Sequence, residues 1–268
     1  MAGRLRAGRR GRLPRRFPAV NQPPPAVVVA VRSGRPVVIL TGAGMSAESG
    51  IPTFRDAQTG LWAHYDPMML ATPEAFAEDP DLVWAWYAWR IGLLAGCEPN
   101  DGHVALAELG TMVEVAVVTQ NVDDLHERAG SREVVHLHGR LQALRCADCG
   151  TAYPQSAEVA ARTAEQPGPD QGPGGRPTEP PRCPPPRCEC GGPVRPGVVW
   201  FGEPLPVEAF SAAERLVNGA ATVLVIGTFG LVYPAAGLPA VARAAGAQVI
   251  EINPEPTMIS DVCHHRWR

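Results

Sequence analysis

Lysine is absent from this chain: all 24 basic residues among its 268 are arginine. The protein therefore offers no side-chain amine of its own for lysine modification. Long hydrophobic runs are also missing. No segment approaches the roughly 20 apolar residues needed to cross a bilayer, and no apolar leader region opens the chain, so neither membrane insertion nor secretion is expected. Acids are missing from residues 1–25, which hold seven arginines, whereas the remainder carries 17 arginines against 27 acids. This basic arm is interrupted by Gly and Pro and ends in Pro23-Pro24-Pro25. It is predicted to be disordered; nucleic acid is not expected as a partner, and this arm is the one part that could bind it. An arginine-rich, acid-free start also occurs in mitochondrial presequences, which the prolines and glycines here fit poorly. Cysteines are not spread as in a disulfide scaffold, for five of the seven fall between residues 146 and 190. Local clustering in a longer chain points to metal and to a cytoplasmic protein.

What is present is an α/β pattern. β-branched runs recur at residues 37–40, 113–118, 223–226 and 248–252, each followed by Gly, Asn or Thr, with helical stretches such as 103–109 and 208–217 between them. Such a chain reads as a Rossmann-like parallel sheet with ligands at the strand ends, where residues 119–121, 227–228 and 253–255 would line one crevice. Two insertions interrupt it. Residues 26–56, 96–140 and 197–268 are assigned to the sheet domain, and residues 57–95 and 141–196 to a smaller domain made of a helical module and a cysteine module. Residues 163–187, rich in Pro, Gly, Gln and Glu, are predicted to be a loop whose length a metal at its base would make tolerable.

Several groups can carry chemistry. In the run VVILTGAGMSAESGIPTFRD, residues 37–56, Gly42 and Gly44 follow an apolar strand and would let backbone amides approach a pyrophosphate. The pair Cys146 and Cys149 followed by Cys183, Cys188 and Cys190 offers thiolates for a closed tetrahedral zinc site, with one cysteine to spare and a cramped spacing between Cys188 and Cys190. His138 and His136 both lie at the end of a predicted strand, and an imidazole there could serve as a base near neutral pH. Asn121 could cap a helix starting near Asp123. Residues 199–203 are β-prone, and could pair with an extended peptide or simply join the core. Tyr87 and Arg90, three residues apart, fall on one helix face, where a phenol and a guanidinium could grip a carboxylate or reach solvent together.

The run at 37–56 resembles the nucleotide-binding signature of the sirtuins, GAGxSxxSGIPxFR. Four more segments agree with that family in order: Thr119-Gln120-Asn121-Val122-Asp123, Leu137-His138-Gly139, the cysteine cluster, and Val198-Val199-Trp200-Phe201-Gly202-Glu203. The resemblance covers about residues 30–262 and implies an NAD-dependent protein-lysine deacylase. It implies that Gly42, Ala43, Gly44, Ser46, Pro52, Phe54, Arg55 and Asp56 touch NAD around its phosphates and ribose. Gln120 would reach the nicotinamide ribose and Asn121 with Asp123 the carboxamide, while Gly227, Thr228, Asn253 and Glu255 lie nearer the adenosine. His138 becomes the base, and Cys146, Cys149, Cys183 and Cys190 the ligands of one structural zinc.

An acylated lysine on a partner protein would bind as an extended strand, held by Val199, Phe201, Gly202 and Tyr233. Tyr87 and Arg90, with Leu70-Ala71-Thr72-Pro73 upstream, resemble the class III sirtuins, which remove succinyl, malonyl and glutaryl groups. Two departures stand against this. Phe229 puts a bulky ring beside the expected cofactor path, and the chain ends at Trp267-Arg268 where relatives usually continue. They favour a catalytically impaired NAD or peptide reader, while an ordinary deacetylase using the same machinery is the other alternative.

Overall fold

The computed structural model describes residues 22–23, 25–52, 66–154 and 182–268. Val37–Thr41 form β1, buried at every position. Unbroken apolar runs of this kind suit strands covered on both faces. Around it lie β2 (Val115–Thr119), β3 (Val134–His136), β6 (Thr222–Ile226), β7 (Gln248–Ile252) and β8 (His265–Trp267), in the order β3-β2-β1-β6-β7-β8. Every pairing is parallel. The chain moves outward from β1 to β3 and then returns to the other side of β1. At that reversal the loops after β1 and β6 diverge and leave a crevice.

Alternate residues of the strands face opposite layers. Val38, Leu40, Val223 and Val225 pack on α7 (Val207–Gly219) and α8 (Leu238–Ala244). Val37, Ile39, Val117 and Leu224 pack with Met45 and with Leu106 of α5 (Asp101–Met112). A short helix α1 (Pro25–Arg32) precedes the sheet and α6 (Leu125–Ala129) follows β2. Among the described residues no helix is long and apolar enough to cross a membrane.

Two excursions leave the sheet. Between β1 and β2 come α2 (Pro67–Leu70), α3 (Pro73–Glu78) and α4 (Pro80–Ala95); between β3 and β6 come the antiparallel strands β4 (Gly139–Cys146) and β5 (Val194–Val198). They share one core, in which Phe76, Trp84, Tyr87 and Ile91 meet Leu141, Leu144, Val194 and Trp200. Helix α4 is apolar on nearly every face and is correspondingly buried. Its start is fixed by Asp79, whose carboxylate accepts from Leu82 N, and that of α3 by Thr72, which accepts from Ala75 N. Each cap, followed by a proline already set for a helix, contributes about 1 kcal/mol.

The expected strands and helices are present with ends shifted by a residue or two. Residues 199–203 depart from the expectation: β5 stops at Val198, and the segment turns, with Glu203 N bonded to Trp200 O and Gly202 at φ 87°. High β-propensity did not make a strand here because these residues have no ladder to join. Of the predicted loop 163–187, residues 163–181 lie outside the described residues.

Candidate active site

The crevice is closed at its base by glycines. Gly42 N donates to Ile226 O at 3.0 Å and Gly44 N to Gly227 O at 2.8 Å. A Cβ on Gly42 would fall 2.7 Å from Thr228 Cβ, and one on Gly227, at φ +62°, only 2.3 Å from Met45 N. The glycines therefore let the loops after β1 and β6 interlock. The amides of Gly42 and Gly44 themselves are engaged by that neighbouring loop.

On this base the polar side chains form one connected network. Ser46 Oγ donates to Asp123 Oδ2 at 2.9 Å and accepts from Asn121 Nδ2 at 3.1 Å. Asp123 Oδ1 also accepts from Leu125 N, so the α6 start is held by Asp123 and not, as expected, by Asn121. Burial pushes the Asp123 carboxyl up from its ordinary value, and the Ser46 bond partly offsets this. Gln120 Nε2 donates to Thr228 Oγ1 at 3.2 Å, and Asn253 Nδ2 to Thr228 O at 3.0 Å. Pro52 is half-buried at the end of the first described loop, and Glu255 is exposed beyond β7. Phe54, Arg55 and Asp56 lie outside the described residues. The Phe229 ring is 45% exposed rather than packed into the network.

His138 follows β3, and Gly139 behind it has φ +72°, where a Cβ would fall 2.0 Å from Gly197 O. That close approach sets the turn that brings the imidazole to the crevice. Its Nδ1 lies 3.0 Å from Gln120 O. A carbonyl can only accept, so Nδ1 carries the proton and Nε2 keeps its lone pair. Burial lowers the pKa of His138, with the Gln120 contact opposing. The imidazole is thus neutral and suited to take a proton. His136, the competing candidate, is engaged on both nitrogens, by Asn121 O at 3.2 Å and Glu127 Oε1 at 2.8 Å.

Helix α4 supplies Tyr87 and Arg90. Tyr87 is 1% exposed, and its oxygen accepts from Trp200 Nε1 at 2.8 Å. Burial pushes its phenol up to about 12, so it stays protonated. The Arg90 guanidinium folds back along the helix over the rings of Trp86 and Tyr87, at 4.9 and 5.7 Å from their centroids. Burial lowers its pKa, while attraction to Tyr87 and Asp123 opposes this. Tyr87 does not reach solvent, and Arg90 is half-buried over the two rings.

Beside them Val199 N donates to His138 O and Phe201 N to Ala71 O, both at 2.9 Å. These two amides are consequently engaged within the protein. Gly202 and Tyr233 are exposed, Tyr233 at 77%.

Four cysteines meet at the tip of the β4–β5 pair: the sulfurs of Cys146, Cys149, Cys188 and Cys190 all lie within 4.8 Å of one another. Cys146 and Cys190 are 3.5 Å apart, Cys149 and Cys188 3.7 Å. A tetrahedral zinc with bonds of about 2.3 Å spaces its sulfurs by about 3.8 Å, so the set fits a closed structural site. Cys183 is not in it, which corrects the expected ligand set. The apparent cramping of Cys188 and Cys190 is relieved by a turn in which Gly191, at φ +88°, donates to Cys188 O at 2.8 Å. Cys183 instead bonds through its N–H to Asp81 O and packs on the α4 core.

Sequence reasoning missed Trp200, Arg195 and Glu203. Arg195 is buried, stacks its guanidinium 3.3 Å from the Trp200 ring centroid, and grips Glu203 with two bonds of 2.6 and 2.9 Å. An arginine and a tryptophan within an otherwise apolar, Gly- and Pro-punctuated run were the available signal.

Fold and site together define a dinucleotide-type α/β protein with a cysteine-tipped insertion, an imidazole at the crevice, and an aromatic and cationic cluster beside it. Comparison with known proteins narrows this. The sequence model of the Sir2 family matches residues 42–234. NAD-dependent protein deacylase 1 of Pseudomonas aeruginosa is 53% identical over 232 residues, which cover 86% of this chain and 88% of that one. NAD-dependent protein deacylase of Mycobacterium tuberculosis is 50% identical over 228 residues, covering 84% and 88%. Among solved structures, the crystal structure of a Sir2 homologue–NAD complex has a TM-score of 0.77 at 42% identity, covering 93% of this chain and 90% of that one. This chain belongs to the Sir2 family.

Proposed function

We propose that this protein is an NAD-dependent protein-lysine deacylase that prefers acyl groups ending in a carboxylate, succinyl and malonyl over acetyl. Deacylation rests on the family and on the roughly 50% identity to proteins named for it. The preference rests on one observation: a protonated phenol and a guanidinium turned inward on one face of α4. An acetyl methyl needs neither group. A carboxylate in a pocket of this kind gains charge-assisted hydrogen bonds from both.

When bound, NAD would supply the ribose carbon that accepts the acyl oxygen as nicotinamide leaves; attack by a ribose hydroxyl, then water, would release the free lysine and O-acyl-ADP-ribose. His138, proton fixed on Nδ1 by Gln120 O, presents Nε2 to take the proton of a ribose hydroxyl. Ser46, Asn121 and Asp123 hold one another in place for the nicotinamide carboxamide, and Thr228 with Asn253 marks the adenosine side. Gly42, Ala43, Gly44, Pro52, Phe54, Arg55, Asp56, Gly227 and Glu255 are assigned to the dinucleotide by family likeness alone. The substrate peptide lies extended between residues 199–203 and 231–233, where Leu231, Val232 and Tyr233 are exposed.

Nicotinamide release with succinylated and acetylated forms of one peptide tests this. The expected kcat/KM is at least about tenfold higher for succinyl, the yield of a charge-assisted pair. A higher value for acetyl identifies an ordinary deacetylase, and no release with either peptide identifies an NAD or peptide reader.

A further inference from the structure

Trp200 sits in the segment 199–203 but is not among the residues there expected to hold the peptide, and its indole makes a buried bond to the Tyr87 oxygen. An indole N–H can only donate. By donating to the Tyr87 oxygen at 2.8 Å it occupies an acceptor position there, and so leaves the phenol's own proton to be given elsewhere. Without that donor the hydroxyl could turn either way, and half of its orientations would meet a carboxylate with a lone pair.

The indole is itself held from three sides. The Arg195 guanidinium lies flat on its ring at 3.3 Å, and the Phe76 ring is 5.2 Å away. Glu203 Oε2 accepts from Trp200 N at 2.8 Å and from Arg195 Nη2 at 2.9 Å, while Arg195 Nη2 also donates to Val198 O at 3.1 Å. Backbone and ring of Trp200 are thereby tied to one ion pair between two partly or fully buried charges.

We infer that Trp200, seated by the Arg195–Glu203 pair, is a positioning residue that aims the Tyr87 hydroxyl as a donor to the acyl carboxylate, and so contributes to selection of acidic acyl groups. The inference rests on the proposed role of Tyr87 and Arg90 and adds a residue that acts through Tyr87. It predicts an effect on selectivity, which general loosening of the core would not produce.

The test is a double-mutant cycle on the full chain, read as the ratio of kcat/KM for succinyl over acetyl peptide. Trp200→Phe, which keeps an aromatic ring but removes the N–H, is expected to lower that ratio about fivefold, the worth of one buried hydrogen bond. The loss should appear in KM more than in kcat. In a Tyr87→Phe background the same change should leave the ratio where Tyr87→Phe put it. A ratio that Trp200→Phe leaves unaltered, or a full effect that persists in the Tyr87→Phe background, overturns the inference while leaving the proposed function intact. If Tyr87→Phe alone does not lower the ratio, both fail. Should Trp200→Phe not accumulate as folded protein, Arg195→Lys takes its place: it keeps the charge beside Glu203 but removes the flat seat of the indole. It should lower the ratio, and an unaltered ratio would again overturn the inference.

Discussion

At the scale of single residues, the account turns on where protons sit. His138 is held with Nδ1 toward Gln120 O, and burial favours its neutral form. A base whose pKa lies below the ordinary 6.5 remains ready at lower pH than a free imidazole. The acid limb of the kcat/KM profile should therefore have its midpoint below about 6.5, and activity should be flat above it until another group titrates. A midpoint above that value would mean that a different group is the base. His138→Ala should lower kcat by about 10²–10⁴-fold while changing peptide KM little. Residue roles were only partly legible in the sequence. The identity of His138 could be read from the Leu-His-Gly match, but its tautomer depends on a carbonyl 18 positions earlier, which no local pattern reveals. The start of α6 shows the same limit: Asp123 rather than Asn121 meets Leu125 N, because which of two polar groups reaches a helix start is set by the turn between them.

At the scale of elements, the parallel strands were legible because a strand covered on both faces must be apolar at consecutive positions, as Val37–Thr41 and Thr222–Ile226 are. The turn at 199–203 was misread because β-propensity reports a liking for a pleated, half-buried surface and cannot supply a neighbour to pair with. The cysteine module shows the same limit. Spacing offered five sulfurs for four places, and the choice was made by a glycine turn that folds Cys188 back beside Cys190 while Cys183 is drawn to Asp81. Replacing Cys188 by Ser should therefore remove bound zinc and lower Tm, since the binding free energy of a structural metal is part of the folding free energy. Cys183→Ser should retain close to one zinc per chain by metal analysis. The opposite outcome would restore the ligand set expected from sequence.

At the scale of the whole molecule, the sheet and the inserted layer have different tasks. Loops at the strand ends, interlocked through Gly42, Gly44 and Gly227, carry the polar network, while α4 and the β4–β5 pair bring an aromatic cluster with the cations Arg90 and Arg195 to its side. The two meet where Arg90 feels the charge of Asp123, so the α4 cluster and the base of the crevice share an electrostatic environment. On the proposed function, selectivity for the acyl group belongs to the insertion and the dinucleotide chemistry to the sheet. The two excursions from the sheet were legible as interruptions in the strand pattern, although where Tyr87 and Arg90 lie was not, because a Tyr-x-x-Arg step is equally compatible with a solvent-facing helix. Arg90→Met, assayed by nicotinamide release with succinyl and acetyl versions of one peptide, tests the claim most directly. The account predicts that kcat/KM for succinyl falls by about 10- to 100-fold while that for acetyl falls far less, the loss expected when a buried charge-assisted pair is removed. An equal fall for both peptides would contradict it.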